Sequence, residues 1–222
     1  MSVSIHRLRR PGRANEAIEQ PLSQAERAVM INSAEIKLAE LFDVLQIDHR
    51  NDHHTKDTPR RVARMFVEEI MHGRYSDPPV LTDFDNVEAF DQLIVSGPIE
   101  IRSTCAHHLM PIYGEAYIGI LPSVDGRIIG LSKYDRVVHH FAARLQIQEE
   151  LVKQIGQFIM ERTAPRGVAV RISAVHMCKT HRGVRASHRS RMVTSAYYGL
   201  IGENEALKRE FLQECHGLQQ TD

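Results

Sequence analysis

Between Leu93 and Gly199 the hydrophobic residues recur every second position, then every third or fourth, then every second again. Leu93, Val95, Ile99 and Ile101 alternate with polar residues around Gly97-Pro98, and Ala116, Ile118 and Ile120 alternate after Gly114. Such runs read as strands, with Ser103 to Pro111 connecting them. Tyr134, Val137, Val138, Phe141 and Leu145 fall on a helical stripe that begins at Ser132, where Ser132 and Asp135 are spaced as a capping pair. A second stripe, Leu151, Ile155, Phe158 and Ile159, stops before Pro165-Arg166-Gly167. Strand spacing then returns in Val168 to Cys178, which puts Val168, Val170, Ile172, Ala174, His176 and Cys178 on one face, and again in Arg191 to Gly199. Two helices between two pairs of strands, followed by a closing helix from Glu203 to Cys215, define an α+β chain.

Ahead of this sheet the chain is helical. Residues 1–22 have no sustained period and predict a flexible arm. Ser23-x-x-Glu26 is a capping box, and Ile31, Ala34, Leu38, Leu41, Phe42 and Leu45 make a helical stripe behind it. Thr58-Pro59 opens another helix as cap and first-turn proline, with Val62, Met65, Phe66 and Ile70 on one side. His72 to Asp91 reads as a loop, and Asp125-Gly126 as a turn into a short strand at Arg127 to Ile129. The expected division is an arm over 1–22, a helical region over 23–90 and a sheet-bearing domain with its C-terminal helix over 91–222.

Lys plus Arg and Asp plus Glu both number 28, so no global field draws the chain to nucleic acid or an anionic membrane, and any anion site must be local. No apolar run approaches the roughly 18 residues of a membrane span, and the basic start lacks an apolar segment of the secretory kind. The expected compartment is therefore the cytoplasm. Cys105, Cys178 and Cys215 are odd in number and far apart, which argues against a disulfide framework and leaves metal binding or burial.

Cys105-Ala106-His107-His108 supplies a thiolate and an imidazole close in sequence, and a tight connection between strands lets both reach one ion. Taken alone the motif is a weak signal, and a half-buried cysteine beside surface histidines is its more ordinary explanation. His176-Met177-Cys178 offers the further ligand, since period 2 turns His176 and Cys178 to the same face. Cys105, His108 and Cys178 together are a Cys2His set suited to zinc, with an open fourth position of the catalytic kind. His107 and His176, beside ligands but not needed as ligands, are placed to move protons. A basic constellation surrounds them: Lys133 and Arg136 in the first turn of the helix at Ser132, and Lys179, Arg182, Arg185, Arg189 and Arg191 after Cys178. A helix start with a serine and nearby cations suits polyphosphate. Solvated surface charge and an RNA-contacting patch are the other readings of the later run; balanced net charge and the absence of interleaved stacking aromatics disfavour RNA. Gln148-Glu149 opens the next helix, where a carboxylate can pair with a purine edge.

The segments STCAHHLMPIYGEAYIGILP, GLSKYDRVVHHFAARLQIQEEL and GVAVRISAVHMCKTHRGVR resemble the GTP cyclohydrolase I family, with spacing kept from about Ser23 to Gly199. The resemblance implies the tunnelling fold, a homodecamer with active sites where subunits meet, and conversion of GTP and water to 7,8-dihydroneopterin triphosphate and formate. It implies zinc on Cys105, His108 and Cys178, and proton transfer by His107 and His176. Ser132, Lys133, Arg136, Arg182 and Arg61 would hold the triphosphate, and Gln148 and Glu149 would address the purine. The chain departs from the family pattern at Ala106, where a glutamate is usual, in the basic loop with His181, His188 and Arg189, and at Glu150, where a basic residue is usual. Those departures keep three alternatives in view: another purine nucleoside triphosphate as substrate, a reaction that stops at a ring-opened intermediate, and a slow nucleotide-binding regulatory protein.

Overall fold

The structure, a computed structural model, describes residues 12–219. It forms two units, divided between Asp77 and Pro78.

In the first unit, helix α1 (Gln24–Val44) begins as the sequence predicts. Ser23 Oγ accepts the Glu26 N–H at 3.3 Å and Glu26 Oε2 accepts the Ser23 N–H at 2.8 Å. Helix α2 (Thr58–Arg64) runs into a π-helical segment, Met65–Ile70, and a short helix, α3 (His72–Tyr75). Asp57, rather than Thr58, is the residue before α2, and no side chain caps it. Ile31, Ala63, Val67 and Tyr75 form the core with Leu22, and Ile18, Ala34 and Leu38 pack against it. The second half of the expected α1 stripe does not join them: Leu41 and Leu45 are exposed.

The expected flexible arm needs correction where it can be seen. Residues 1–11 lie outside the described residues. From residue 12 onward the chain is held: Arg74 donates to the backbone carbonyls of Arg13, Ala14 and Glu16, the Ile18 N–H reaches Arg74 O at 3.1 Å, and the Leu22 N–H reaches Tyr75 O at 3.0 Å. One guanidinium and two backbone bonds order this segment, and neither leaves a period in the sequence.

The second unit is built on a five-stranded sheet in the order β5-β2-β3-β6-β7. Its strands are β2 (Ile94–Cys105), β3 (Pro111–Leu121), β5 (Leu145–Gln146), β6 (Gly167–His176) and β7 (Arg191–Tyr198). All neighbours are antiparallel except β5, which runs parallel to the end of β2. Helices α4 (Ser132–Ala142) and α5 (Gln148–Thr163) bury Val137, Val138, Phe141, Leu151, Ile155 and Ile159 against Ile99, Ile101, Ile118, Val170 and Ile172. Tyr117, Leu121 and Ala169 point the other way and pack with Ile201, Phe211 and Cys215 from α7 (Gly199–Glu203) and α8 (Glu205–Gln219). β6 is thus buried on both faces. Gly119 is required for this second layer, since a Cβ there would lie 2.6 Å from Phe211 Cδ2. The strand-strand-helix-helix-strand-strand order is that of the α+β tunnelling architecture expected.

Other boundaries differ. α4 ends at Ala142, so Leu145 belongs to β5 and not to the helix. The short strand β4 (Arg127–Ile129) pairs with β1 (Asp83–Asp85), inside the stretch expected to be a loop. Arg127 fastens the pair, 2.9 Å from both Asp83 and Asp85 carboxylates. That pairing places residues 78–90 with the sheet unit, whereas a division at 90/91 was expected. No helix among the described residues is long and apolar enough to cross a membrane.

Candidate metal and nucleotide site

The register of the sheet carries the site residues to one end. Thr104 pairs with Pro111 and Ile112 pairs with His176, so the end of β2, the start of β3 and the end of β6 lie side by side. Cys105 is the last residue of β2 and is buried. The chain then reverses within five residues: the Cys105 N–H donates to Met110 O at 2.8 Å and the Leu109 N–H to Cys105 O at 2.9 Å. Leu109 takes a left-handed backbone (φ 54°) to close the turn. Ala106 donates its N–H to Gln146 O at 3.0 Å, which anchors the turn to β5. His107 and His108 are exposed on this turn.

The ligand atoms of Cys105, His108 and Cys178 lie within 4.8 Å of one another. Burial pushes the Cys178 thiol up, the adjoining Cys105 adds to this, and Arg182 opposes it. Two sulfurs and an imidazole converging this closely are a donor set that suits a thiophilic divalent cation. The donor set fits zinc with a fourth position left for a non-protein ligand.

Cys178 arrives by a route other than the one the sequence predicts. β6 ends at His176, and Met177–Thr180 form one helical turn, α6. The strand alternation therefore does not extend to Cys178, and a turn of helix, not period 2, swings the thiol toward Cys105. His176 does follow the alternation, on the α5 side of β6 with Val170 and Ile172.

His107 Nδ1 lies 3.9 Å from Cys105 Sγ. His176 is half-buried, and its Nε2 lies 2.8 Å from Gln148 Oε1. Burial lowers the His176 pKa, the nearby Glu149 carboxylate opposes this, and Lys179 adds to it. Glu149 is exposed beside this histidine. Gln148, expected to address a purine, is instead turned inward. Its Nε2 donates to Ile172 O, Met192 O and Thr194 Oγ1, leaving no amide hydrogen for a ligand. Nothing in the sequence signalled this, because two of the three acceptors are backbone atoms or side chains of β7, more than forty residues away.

Of the basic constellation, Ser132, Lys133 and Arg136 occupy the first turn of α4, with Ser132 and Arg136 exposed. The expected Ser132 and Asp135 capping pair does not form. Leu131 already has helical backbone angles (φ −49°, ψ −46°), and the Lys133 and Tyr134 N–H groups are taken by Gly130 O and Leu131 O. An anion here would meet side chains more than free backbone. Lys179 is tied to Ser190 Oγ at 2.9 Å, and Arg191 donates to Ser173 O at 3.2 Å. Arg182 and Arg185 are exposed on the loop between them, which turns through left-handed Gly183 (φ 63°) and Arg185 (φ 48°). Arg61 lies in the first unit, exposed, 3.4 Å from Asp57.

The family model described as GTP cyclohydrolase I matches residues 34–216. A protein named GTP cyclohydrolase 1 from Shewanella denitrificans is 40% identical over 86% of this chain and 85% of its own length. Proteins of the same name from Carboxydothermus hydrogenoformans and Thermobifida fusca are 43% and 42% identical over 70% and 69% of this chain, and 79% and 73% of theirs. A solved structure of an archaeosine synthase QueF-Like in the apo form aligns over 49% of this chain and 92% of that one, at 14% identity and a TM-score of 0.37, too slight a likeness to bear on the fold. With the matched region spanning both ligand segments and the sheet that joins them, the chain belongs to the GTP cyclohydrolase I family.

Proposed function

We propose that the chain is a zinc-dependent GTP cyclohydrolase I, converting GTP and water to 7,8-dihydroneopterin triphosphate and formate. One observation carries the reading: two thiols and an imidazole from segments about seventy residues apart converge within 4.8 Å at one end of the sheet, among the matched residues. Relatives named GTP cyclohydrolase 1 supply the substrate.

Zinc held by Cys105, His108 and Cys178 supplies Lewis acidity that makes water a nucleophile at neutral pH. The chain's own residues do the rest. Ser132, Lys133, Arg136 and Arg182 bind the triphosphate by charge-assisted hydrogen bonds, and Glu149 holds the guanine edge by accepting from its ring and exocyclic N–H groups. That orients C8 of the base toward the thiol and imidazole cluster. His107, against Cys105, and His176, held by Gln148, transfer protons as the imidazole ring opens, formate leaves and the ribose carbons close the new ring. The enzyme works as a homo-oligomer, a decamer by family resemblance.

A second reading rests on Ala106. A methyl group stands in the metal-site turn, on a backbone pinned to Gln146 O, so no carboxylate is delivered from this position. That favours a related purine nucleoside triphosphate as substrate. The test is to incubate the zinc-loaded protein with GTP and follow formate together with the mass of the nucleotide product. Formate with dihydroneopterin triphosphate supports the first reading. No formate from GTP, but formate from another purine triphosphate, replaces it with the second.

A further inference from the structure

Gln148 opens α5 with its residue only 1% exposed, and four polar contacts surround its amide. Nε2 lies 3.2 Å from Ile172 O, 3.1 Å from Met192 O and 3.1 Å from Thr194 Oγ1. Two of these partners are backbone carbonyls, which only accept. Rotating the amide by half a turn would set its oxygen against both, leaving buried acceptors facing one another with no hydrogen between them. The orientation is therefore fixed by the network: nitrogen toward the strands, oxygen toward His176.

That orientation decides where the histidine proton sits. Gln148 Oε1 carries no hydrogen, and it lies 2.8 Å from His176 Nε2. The ring nitrogen must donate. In a neutral imidazole with hydrogen on Nε2, the lone pair is on Nδ1. We propose that Gln148 is a positioning residue that holds His176 in the Nε2–H form, leaving Nδ1 as the nitrogen that accepts a proton from the reacting ligand.

The arrangement links three elements to one ring. Ile172 and His176 are both on β6, Met192 and Thr194 are on β7, and Gln148 starts α5. The amide works as a strut whose two N–H donors are shared among three scaffold acceptors and whose oxygen is spent on the histidine. The proton-transfer role of His176 belongs to the function proposed above, and the inference about Nδ1 as acceptor rests on that reading; the tautomer itself does not.

Two measurements test it. Neutron diffraction from the zinc-loaded wild-type protein exchanged into D2O near neutral pH should show a deuteron on His176 Nε2 and none on Nδ1. Density on Nδ1, alone or together with Nε2, overturns the proposal without reference to activity or to any variant's folding. In steady-state kinetics, Gln148→Met preserves side-chain length and removes the strut. It should lower kcat about 10- to 100-fold, as misplacing a proton-transfer group does, with KM changed less than about threefold and bound zinc unchanged. A raised KM with kcat retained would mean that Gln148 reads the ligand after all. If the wild-type protein releases no formate from GTP, the functional reading fails while the neutron result still decides the tautomer.

Discussion

The sharpest quantitative consequence of the candidate site concerns protons released when metal binds. Cysteine ligates as thiolate, and an ordinary thiol, ionising near 8.5, is mostly protonated at pH 7. Burial raises Cys178 further, and its neighbour Cys105 adds to the effect. Binding one zinc ion to Cys105, His108 and Cys178 should thus expel about two protons, one per thiol, while an imidazole above about pH 7 contributes little. Each proton released makes the apparent dissociation constant fall about tenfold per pH unit, so the wild-type value should fall about 100-fold from roughly pH 7 to pH 8. Titration calorimetry in two buffers of different ionisation enthalpy counts the protons directly, and competition with a chromophoric chelator gives the affinity. Cys178→Ser should drop the count to about one and flatten the slope to about tenfold. Cys215→Ser is the control, since Cys215 lies on the buried side of α8, against the opposite face of the sheet, and should leave both numbers unchanged. A wild-type count of one would refute the two-thiol site.

Other consequences can be checked together. His107→Ala should retain one zinc per chain and lose about 100- to 10,000-fold in kcat, measured as formate release; an unchanged rate would remove His107 from proton transfer. Gly119→Ala should destabilise by about 1–3 kcal/mol, because the added Cβ meets the fully buried Phe211 ring at 2.6 Å, and Gly119→Ala with Phe211→Leu should recover part of the loss in urea unfolding. Ser23→Ala removes one half of the α1 capping box and should cost about 0.5–2 kcal/mol, read as increased amide exchange in the first turn of the helix. Equal exchange in both proteins would show that the box adds nothing to the cap.

The parts of this structure legible in the sequence were those written in local period. Alternation around Ile99 and Ile101, around Ile118, and from Val168 to Ala174 located three central strands, and the stripes through Val137 and Ile155 located the helices beneath them. His176 fell on the α5 side by the same arithmetic. Cys178 was expected near Cys105 for the wrong local reason, since strand spacing carries no notice that a helical turn begins at Met177. Short pairings were invisible: Leu145-Gln146 and Asp83 to Asp85 are too brief to show a period, and each is defined by a partner strand far away in sequence. The Ser132–Asp135 cap does not form and the Gln148 amide faces the sheet, for kindred reasons. A serine at a helix start implies a cap unless the preceding residue is already helical, as Leu131 is, and a glutamine there implies a ligand unless the fold supplies acceptors, as β6 and β7 do.

The position of β3 between β2 and β6 bears on when the site can exist. Cys105 and Cys178 sit on or beside strands that never touch each other, and only the full antiparallel pairing of β3 to both brings their ends level. A slip of two residues along either ladder would move one ligand by nearly 7 Å and dissolve the cluster. Pairings this distant in sequence are slow to form, so the metal site matures late and matures only in chains whose register is right. Zinc, binding that state alone, would then act as a proofreader of sheet assembly, adding stability that grows with free metal above its dissociation constant and leaving mispaired chains without it.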